Sequence, residues 1–244
     1  MKRHIPNIIT CCNLLCGCLA TVSAINGNNA AALLFIVLGA GFDFFDGMSA
    51  RLLRVSSDIG KELDSLADDI TFGVAPASII FYELQVVDYP AIAEPLRSVL
   101  PYFAYLVAAF SALRLANFNI DTRQTTSFIG LPTPANALFW GSLIVGFGPL
   151  LEQYSWFMPL LLLGILLSSW ILVAEIPMFA LKFKHWGFGG NEVKYLFAAF
   201  SVLVLLGSVA CGIATQSYNL CYSGFSIIIV AYVLVSIFCN KKKA

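Results

Sequence analysis

Apolar stretches of about 20 residues, the length that crosses a bilayer's hydrocarbon core, follow one another along the chain with short polar segments between them. Hydropathy, read against charge and Pro/Gly breaks, predicts eight membrane spans at roughly 8–26, 30–51, 60–82, 99–118, 134–151, 156–180, 194–213 and 220–239. The expected fold is all-α: a polytopic membrane bundle of about eight helices in one compact unit. No tandem repeat, low-complexity stretch or long linker divides it. A softer boundary falls near residue 190. Residues 1–190 hold the polar positions within spans, whereas 191–244 add two spans with no Asp, Glu, Lys, Arg or His from Tyr195 to Cys239, then a basic tail.

Composition agrees. With 59% apolar and 11% charged residues among 244, the chain lies outside the range of soluble domains. The 14 basic and 14 acidic residues cancel, but their placement is informative. Lys2/Arg3, Arg51/Arg54/Lys61, Arg114/Arg123, Lys182/Lys184/Lys194 and Lys241 to Lys243 fall on one side of the predicted membrane, leaving Arg97 opposite. The other side collects Glu83, Asp88, Glu94 and Glu152. The positive-inside rule then puts both termini and the basic loops in the cytoplasm. The start of the chain does not read as a cleavable signal peptide, because its apolar run merges into a full span. No nucleic-acid partner is expected. Cys11, Cys12, Cys16 and Cys18 crowd the first span as small packing residues rather than a metal cluster, and a Cys211–Cys221 bridge near the outer surface stays open.

The candidate chemistry sits in spans two and three. Asp43-Phe-Phe-Asp46-Gly47-Met-Ser-Ala50-Arg51 is followed, after eight residues, by Gly60-Lys-Glu-Leu-Asp64-Ser-Leu-Ala-Asp68. At about 100° per residue, Asp43, Asp46, Gly47, Ala50 and Arg51 occupy an arc of about 140° at the cytoplasmic end of span two. Gly60, Asp64 and Asp68 recur every four residues, so their carboxylates also share a face. Two short-looped antiparallel helices can bring these faces together. A carboxylate at membrane depth costs about 2.5–3.5 kcal/mol on insertion scales unless a partner compensates. Four converging ones demand cations, and hard oxygen ligands suit Mg²⁺, Mn²⁺ or Ca²⁺ better than zinc. Two divalent ions would balance the four charges and leave room for a substrate pyrophosphate. Gly47, Ala50 and Gly60 lack bulk where a ligand must approach. Pairing of the acids with Arg51, Arg54 and Lys61 would explain any single Asp, but not the whole spacing. Asp69 lies about 100° round from Asp68, and Asp58 and Glu62 read as solvated acids at a helix start.

From Asp43 to Asp68 the chain resembles, at every fixed position, the signature of the CDP-alcohol phosphatidyltransferase family, D-x2-D-G-x2-A-R-x8-G-x3-D-x3-D. The resemblance implies a membrane transferase with CDP-diacylglycerol as donor. It also implies a two-metal site on Asp43, Asp46, Asp64 and Asp68, with Asp68 the general base and Gly47, Ala50, Arg51 and Gly60 against the CDP moiety. Four segments are similar to the family's bacterial and archaeal phosphatidylserine synthase branch. They are Pro6-Asn7-Ile8-Ile9-Thr10 with Asn13, Asp64 to Pro76, Ala112-Leu-Arg114-Leu-Ala-Asn117-Phe-Asn119, and Gly130-Leu-Pro132-Thr-Pro134-Ala135. This implies L-serine as acceptor and phosphatidylserine and CMP as products. Asn117 departs from the branch's R-L-A-R-F-N pattern, where a basic residue stands.

Asn7 and Thr10, with Asn13, recur at helical spacing and are candidates to line the nucleotide pocket, Asn7 equally a helix cap. Arg114 and Asn119 are candidates to hold serine's carboxylate, which an arginine fork fits; a positive-inside anchor is the alternative for Arg114. Glycerol 3-phosphate or an inositol phosphate would need more basic residues than Arg114 and Arg123 supply. A divalent-cation transporter would distribute its acids through the membrane depth. Glu175, an acid inside span six beside Pro177, either extends the site or pairs with Lys182 or Lys184, the pairing being the expected role. The expected setting is the inner cell membrane, among lipid, with the site facing the cytoplasm; the resemblance is compatible with a homodimer.

Overall fold

The computed structural model describes residues 4–55, 57–121, 123, 128–178, 187 and 191–241. Lys2, Arg3, Lys182, Lys184, Lys242 and Lys243 lie outside the described residues, so the charge pattern expected there has no structural counterpart.

The chain opens with α1 (His4–Ile25) and α2 (Asn29–Leu53), joined by a turn in which Gly27 takes φ +78° and Asn28 accepts the Ala31 N–H at 3.1 Å. Arg54 ends α2 in the left-handed conformation, φ 53°, its N–H turned back to the carbonyls of Ala50 and Arg51. That position usually goes to glycine. Ser57 then caps α3 (Asp58–Asp68), its Oγ accepting the Gly60 N–H at 3.0 Å. The helix continues without a loop through a π-helical turn, Asp69–Val74, into α4 (Ala75–Val86). Pro76 supplies the reason, since it has no N–H and its ring crowds the preceding turn; widening that turn accommodates it.

Two 3₁₀ turns, Glu94–Leu96 and Leu100–Tyr105, lead into α5 (Leu106–Ile120). After β1 (Phe128–Ile129) come α6 (Thr133–Leu151) and α7 (Phe157–Val173). Pro132 and Pro134 shape the entry to α6, with Pro134 in its first turn. β2 (Pro177–Met178) pairs antiparallel with β1, Phe128 opposite Met178. This two-residue ladder is the departure from an all-helical chain among the described residues. α8 (Glu192–Ala214), a 3₁₀ turn (Tyr218–Tyr222) and α9 (Ser223–Lys241) complete the chain.

Among the described residues six helices are long and apolar enough to cross a membrane: His4–Ile25, Asn29–Leu53, Leu100–Ile120, Thr133–Leu151, Glu192–Ala214 and Tyr218–Phe238. They coincide with six of the expected spans. The stretch expected at 60–82 is the segmented helix through α3 and α4, and polar α3 dilutes its hydropathy. The stretch expected at 156–180 is the 17-residue α7, which stops at Val173 ahead of Glu175 and Pro177.

The main core gathers Ile36, Phe72, Ile79, Ile80, Leu84, Trp140, Phe157 and Leu161, each under 2% exposed. Trp140 donates from Nε1 to Ser168 at 3.1 Å, satisfying its one polar atom. A second cluster of Leu131, Leu172, Met178, Phe197 and Tyr232 ties α8 and α9 to the rest. Leu15, Leu166, Trp170, Leu203 and Leu206 are by contrast more than half exposed on the outside of the bundle. Lipid removes the cost that such a surface would carry in water. Cys11, Cys12, Cys16, Cys18, Cys211 and Cys221 are all free, so no Cys211–Cys221 bridge forms.

Candidate active site

α1 packs against both α2 and α3, and acids of the latter two helices meet beside it. Oxygens of Asp43, Asp64 and Asp68 all lie within 4.8 Å of one another. Asp46, one turn on from Asp43, is turned instead toward α1: it is 6% exposed, and Thr10 donates from Oγ1 to its Oδ2 at 2.6 Å. Asn13, wholly buried one turn further along α1, donates from Nδ2 to Asp68 Oδ1 at 3.1 Å. In turn Thr71, in the π turn, donates to the Asn13 carbonyl at 3.0 Å. A Cβ at Gly17 or Gly39 would stand 2.5 Å from the Thr71 side chain, so both glycines are needed for α1, α2 and the π turn to meet this closely.

Asp64 Oδ1 is buried with no hydrogen-bond partner. An acceptor held bare inside a protein is costly, and three carboxylates within 4.8 Å repel one another. Both features are relieved by a cation, and the donor set is carboxylate oxygen throughout. The residues present therefore fit a hard divalent metal.

Beside the acids opens a cavity of about 160 Å³. Asn7, Thr10, Asp46, Gly47, Ala50, Gly60 and Asp64 line it, together with Pro6, Val55, Ser57 and Lys61. Asn7 lies inside α1 rather than at a cap, its Oδ1 on the Gly60 side. Gly47 leaves open space, a Cβ there meeting nothing closer than Arg51 Nη2 at 4.0 Å. Arg51 does not line the cavity; it is exposed and donates from Nε to the Gly47 carbonyl at 2.9 Å. Lys61 and Ser57 are polar lining residues that sequence reasoning passed over, as it did the apolar Val55. The available signals were the position of Lys61 next to Gly60, three residues from Asp64, and the cap position of Ser57.

Arg114 and Asn119 part company. Arg114 is 7% exposed, stands over the Phe118 ring at 5.3 Å, and has a buried Nε without a partner. It lines a second cavity of about 290 Å³ with Asn117, Asp121, Arg123 and Glu175, and lies within electrostatic reach of Asp68. Asn119 is exposed and donates to Ser65 Oγ on α3 at 2.7 Å, away from that cavity. Glu175 stands 3.5 Å from Arg123 Nη2 and shares the cavity wall with Arg114, while Lys182 and Lys184, expected as its partners, lie outside the described residues. Asp121 also binds Arg123, and its hydrogen bond and charge raise the guanidinium above its ordinary range, keeping it charged. Asp69 opens the π turn with Oδ1 buried and unpartnered, beside Gly73 and Ser111.

Comparison with known proteins bears on the same region. The family model for CDP-alcohol phosphatidyltransferase matches residues 3–181. The chain is 37% identical over 183 residues to CDP-diacylglycerol–serine O-phosphatidyltransferase of Bacillus subtilis, covering 75% of this chain and 91% of the relative. The protein of the same description from Methanocaldococcus jannaschii is 34% identical over 174 residues, 71% of this chain and 75% of the relative. That from Mycobacterium tuberculosis is 30% identical over 238 residues, 93% of this chain and 75% of the relative.

Proposed function

The chain belongs to the CDP-alcohol phosphatidyltransferase family, and we propose that it transfers the phosphatidyl group of CDP-diacylglycerol to L-serine, giving phosphatidylserine and CMP. The observation that carries the reading is the convergence of Asp43, Asp64 and Asp68 within 4.8 Å beside a cavity lined by small residues. The names of the relatives support serine as the acceptor.

Asp43, Asp46, Asp64 and Asp68 would hold two divalent ions, Mg²⁺ or Mn²⁺ with Ca²⁺ also compatible, which when bound neutralise pyrophosphate charge and stabilise the departing phosphate. The chain's own groups do the rest. Gly47, Ala50 and Gly60 admit the cytidine nucleotide, Asn7 and Thr10 border it, and Lys61 adds a positive charge; Arg51 acts from outside by holding the Gly47 carbonyl. Asn13 occupies one oxygen of Asp68 and leaves the other to accept the serine hydroxyl proton. The serine oxygen then bonds to the lipid-bearing phosphorus as the bond to the CMP oxygen breaks, and CMP leaves with that electron pair. Direct transfer is the simpler course, since among the described lining residues there is no Cys or His, and the one serine, Ser57, has its Oγ engaged as the cap that accepts the Gly60 N–H. Arg114 takes the serine carboxylate, while Asn119 steadies α3 through Ser65.

The wider setting follows from the charge pattern. We read eight spans in an inner cell membrane, counting the α3–α4 helix and α7, with both termini and the active site on the cytoplasmic side. Residues 1–190 form the catalytic core, and 191–244 extend the same bundle; a homodimer is compatible with this arrangement. The test is purified chain with CDP-diacylglycerol and a panel of alcohols, scored by CMP release. Serine should be preferred over glycerol 3-phosphate and inositol phosphate, and Asp68→Asn or a chelator should abolish release, the chelator reversibly. Full turnover by Asp68→Asn, or preference for another alcohol, refutes the reading.

A further inference from the structure

We propose that the end of the bundle opposite the aspartates carries a second cation site, one that takes a calcium-type divalent ion on Glu83 and Glu152. Glu83, near the end of α4, is 1% exposed, yet its Oε1 is buried with no hydrogen-bond partner. A bare carboxylate at the membrane boundary is costly and points to a ligand. It lines a cavity of about 310 Å³ together with Asn29, Tyr82, Val145, Glu152 and Asn219. On the same cavity Asn29 Oδ1 is a second buried acceptor without a partner. Pro149, also on the wall, has no N–H to give the carbonyl of Val145.

Positive charge is missing from the cavity. Among the described residues no Lys or Arg lines it, and Glu83 and Glu152 lie within reach of each other's charge. Arg97 is engaged elsewhere, by Glu94 at 3.1 Å and by the Gln85 and Val87 carbonyls. Gly148 makes room for the acid, since a Cβ there would stand 2.8 Å from Glu83 Oε1. Two carboxylates with amide oxygens are the ligand set of Ca²⁺ rather than of zinc or copper.

This site is separate from the aspartates. Asn29 precedes Asp43 by 14 positions on α2, a rise of roughly 21 Å. Its walls come from the starts and ends of four segments: the α1–α2 turn, α4, α6 and the turn before α9. An ion there ties the two final helices to the core. The affinity expected is that of outward-facing calcium modules, a Kd of about 10⁻⁴–10⁻³ M.

The test uses the full chain in detergent with terbium(III) as probe, because Tyr82 on the cavity wall can sensitise its emission. The triple variant Asp43→Asn, Asp64→Asn, Asp68→Asn removes the other site. It should still bind terbium, release it to calcium, and lose affinity at least about tenfold on adding Glu83→Gln. Tyr82→Phe should lower the emission without changing competition by calcium. In the otherwise unaltered chain, Glu83→Gln should bind one ion fewer and keep its CMP release, which guards against misfolding of the triple variant. No terbium binding by the triple variant, binding indifferent to Glu83→Gln, or terbium displaced by ethanolamine but not by calcium overturns the proposal.

Discussion

Gly17→Ala places one methyl group where α1 meets the π turn. The new Cβ would stand 2.5 Å from Thr71 Oγ1 and 2.9 Å from Thr71 Cα and N, whereas ordinary contact begins at 3.4 Å. The hydroxyl can rotate away but the backbone cannot, so α1 and the π turn must separate by about 0.5–1 Å, with overpacking costing about 1–3 kcal/mol. The displacement passes to the site by a short route. Thr71 holds the Asn13 carbonyl, and Asn13 holds Asp68 at 3.1 Å, a bond that a shift of this size carries beyond hydrogen-bonding range. Misplacing a catalytic group by about 1 Å can cost about 10²-fold, so kcat for CMP release should fall roughly 10- to 100-fold, with KM for CDP-diacylglycerol changed far less. The assay is CMP release from mixed micelles at saturating divalent metal, beside the thermal midpoint. Gly207→Ala on α8 is the matched control, since nothing lies within 4 Å of its Cβ; helix propensity alone makes it neutral or up to about 1 kcal/mol stabilising. Turnover and midpoint of wild-type size in Gly17→Ala, or equal damage from Gly207→Ala, would refute the reasoning.

Thr10→Val removes the hydroxyl that Asp46 accepts and keeps the shape. A hydrogen bond to a charged group contributes about 1.5–3 kcal/mol, so a cycle with Asp46→Asn should show coupling of about 10- to 150-fold in kcat/KM, and additive effects would disprove the link. Lys61→Gln should raise KM for CDP-diacylglycerol by up to roughly fivefold, the scale of a solvent-exposed charge contact, with kcat near wild type; an unchanged KM removes Lys61 from the nucleotide site. Arg114→Lys, which keeps the charge but loses the fork, should raise KM for serine about 10- to 150-fold on the same hydrogen-bond scale. Arg123→Gln, at an exposed ion pair, should leave both the thermal midpoint and KM for serine near wild type; a larger rise in KM for serine from Arg123→Gln than from Arg114→Lys assigns the carboxylate to Arg123.

Which parts of this were legible beforehand follows from how local each feature is. Asp43, Asp64 and Asp68 could be grouped from spacing, because a four-residue repeat and a short connection settle which helix faces meet. Asp46 shares the arc of Asp43, but its turn toward Thr10 depends on how α1 docks, and contacts between residues 36 apart leave no periodic trace. Asn13 was visible as a polar residue at helical spacing from Asn7 and Thr10, yet its partner Asp68 stands 55 residues away. Lys61 was absorbed by the positive-inside pattern, where a lysine at a membrane boundary needs no further explanation. Arg51 was placed on the nucleotide by the signature, while in the fold it reaches back along its own helix to Gly47. The acids of α3 lower the hydropathy of the 60–82 stretch, so the segment carrying two of the three clustered carboxylates is the least apolar of those expected to span. Pro76 was the local clue to its π turn.

One face of α1 draws these observations together. Thr10, Asn13 and Gly17 follow at three and four residues, so they lie on one stripe of the helix. Each meets a different part of the acidic centre: Thr10 the Asp46 carboxylate, Asn13 the Asp68 carboxylate, and Gly17 the backbone of Thr71 in the turn that follows Asp68. α1 contributes none of the three clustered carboxylates, but it orients an acid from α2 and an acid from α3 against the same rigid surface. Two helices carrying like charges would otherwise tend to splay, since the carboxylates repel before any cation arrives. A third helix that donates hydrogen bonds to both acids, and packs closely because glycine leaves it room, opposes that repulsion and preorganises the ligand oxygens. The signature in α2 and α3 thus supplies the clustered carboxylates, whereas the first helix determines the geometry in which they converge.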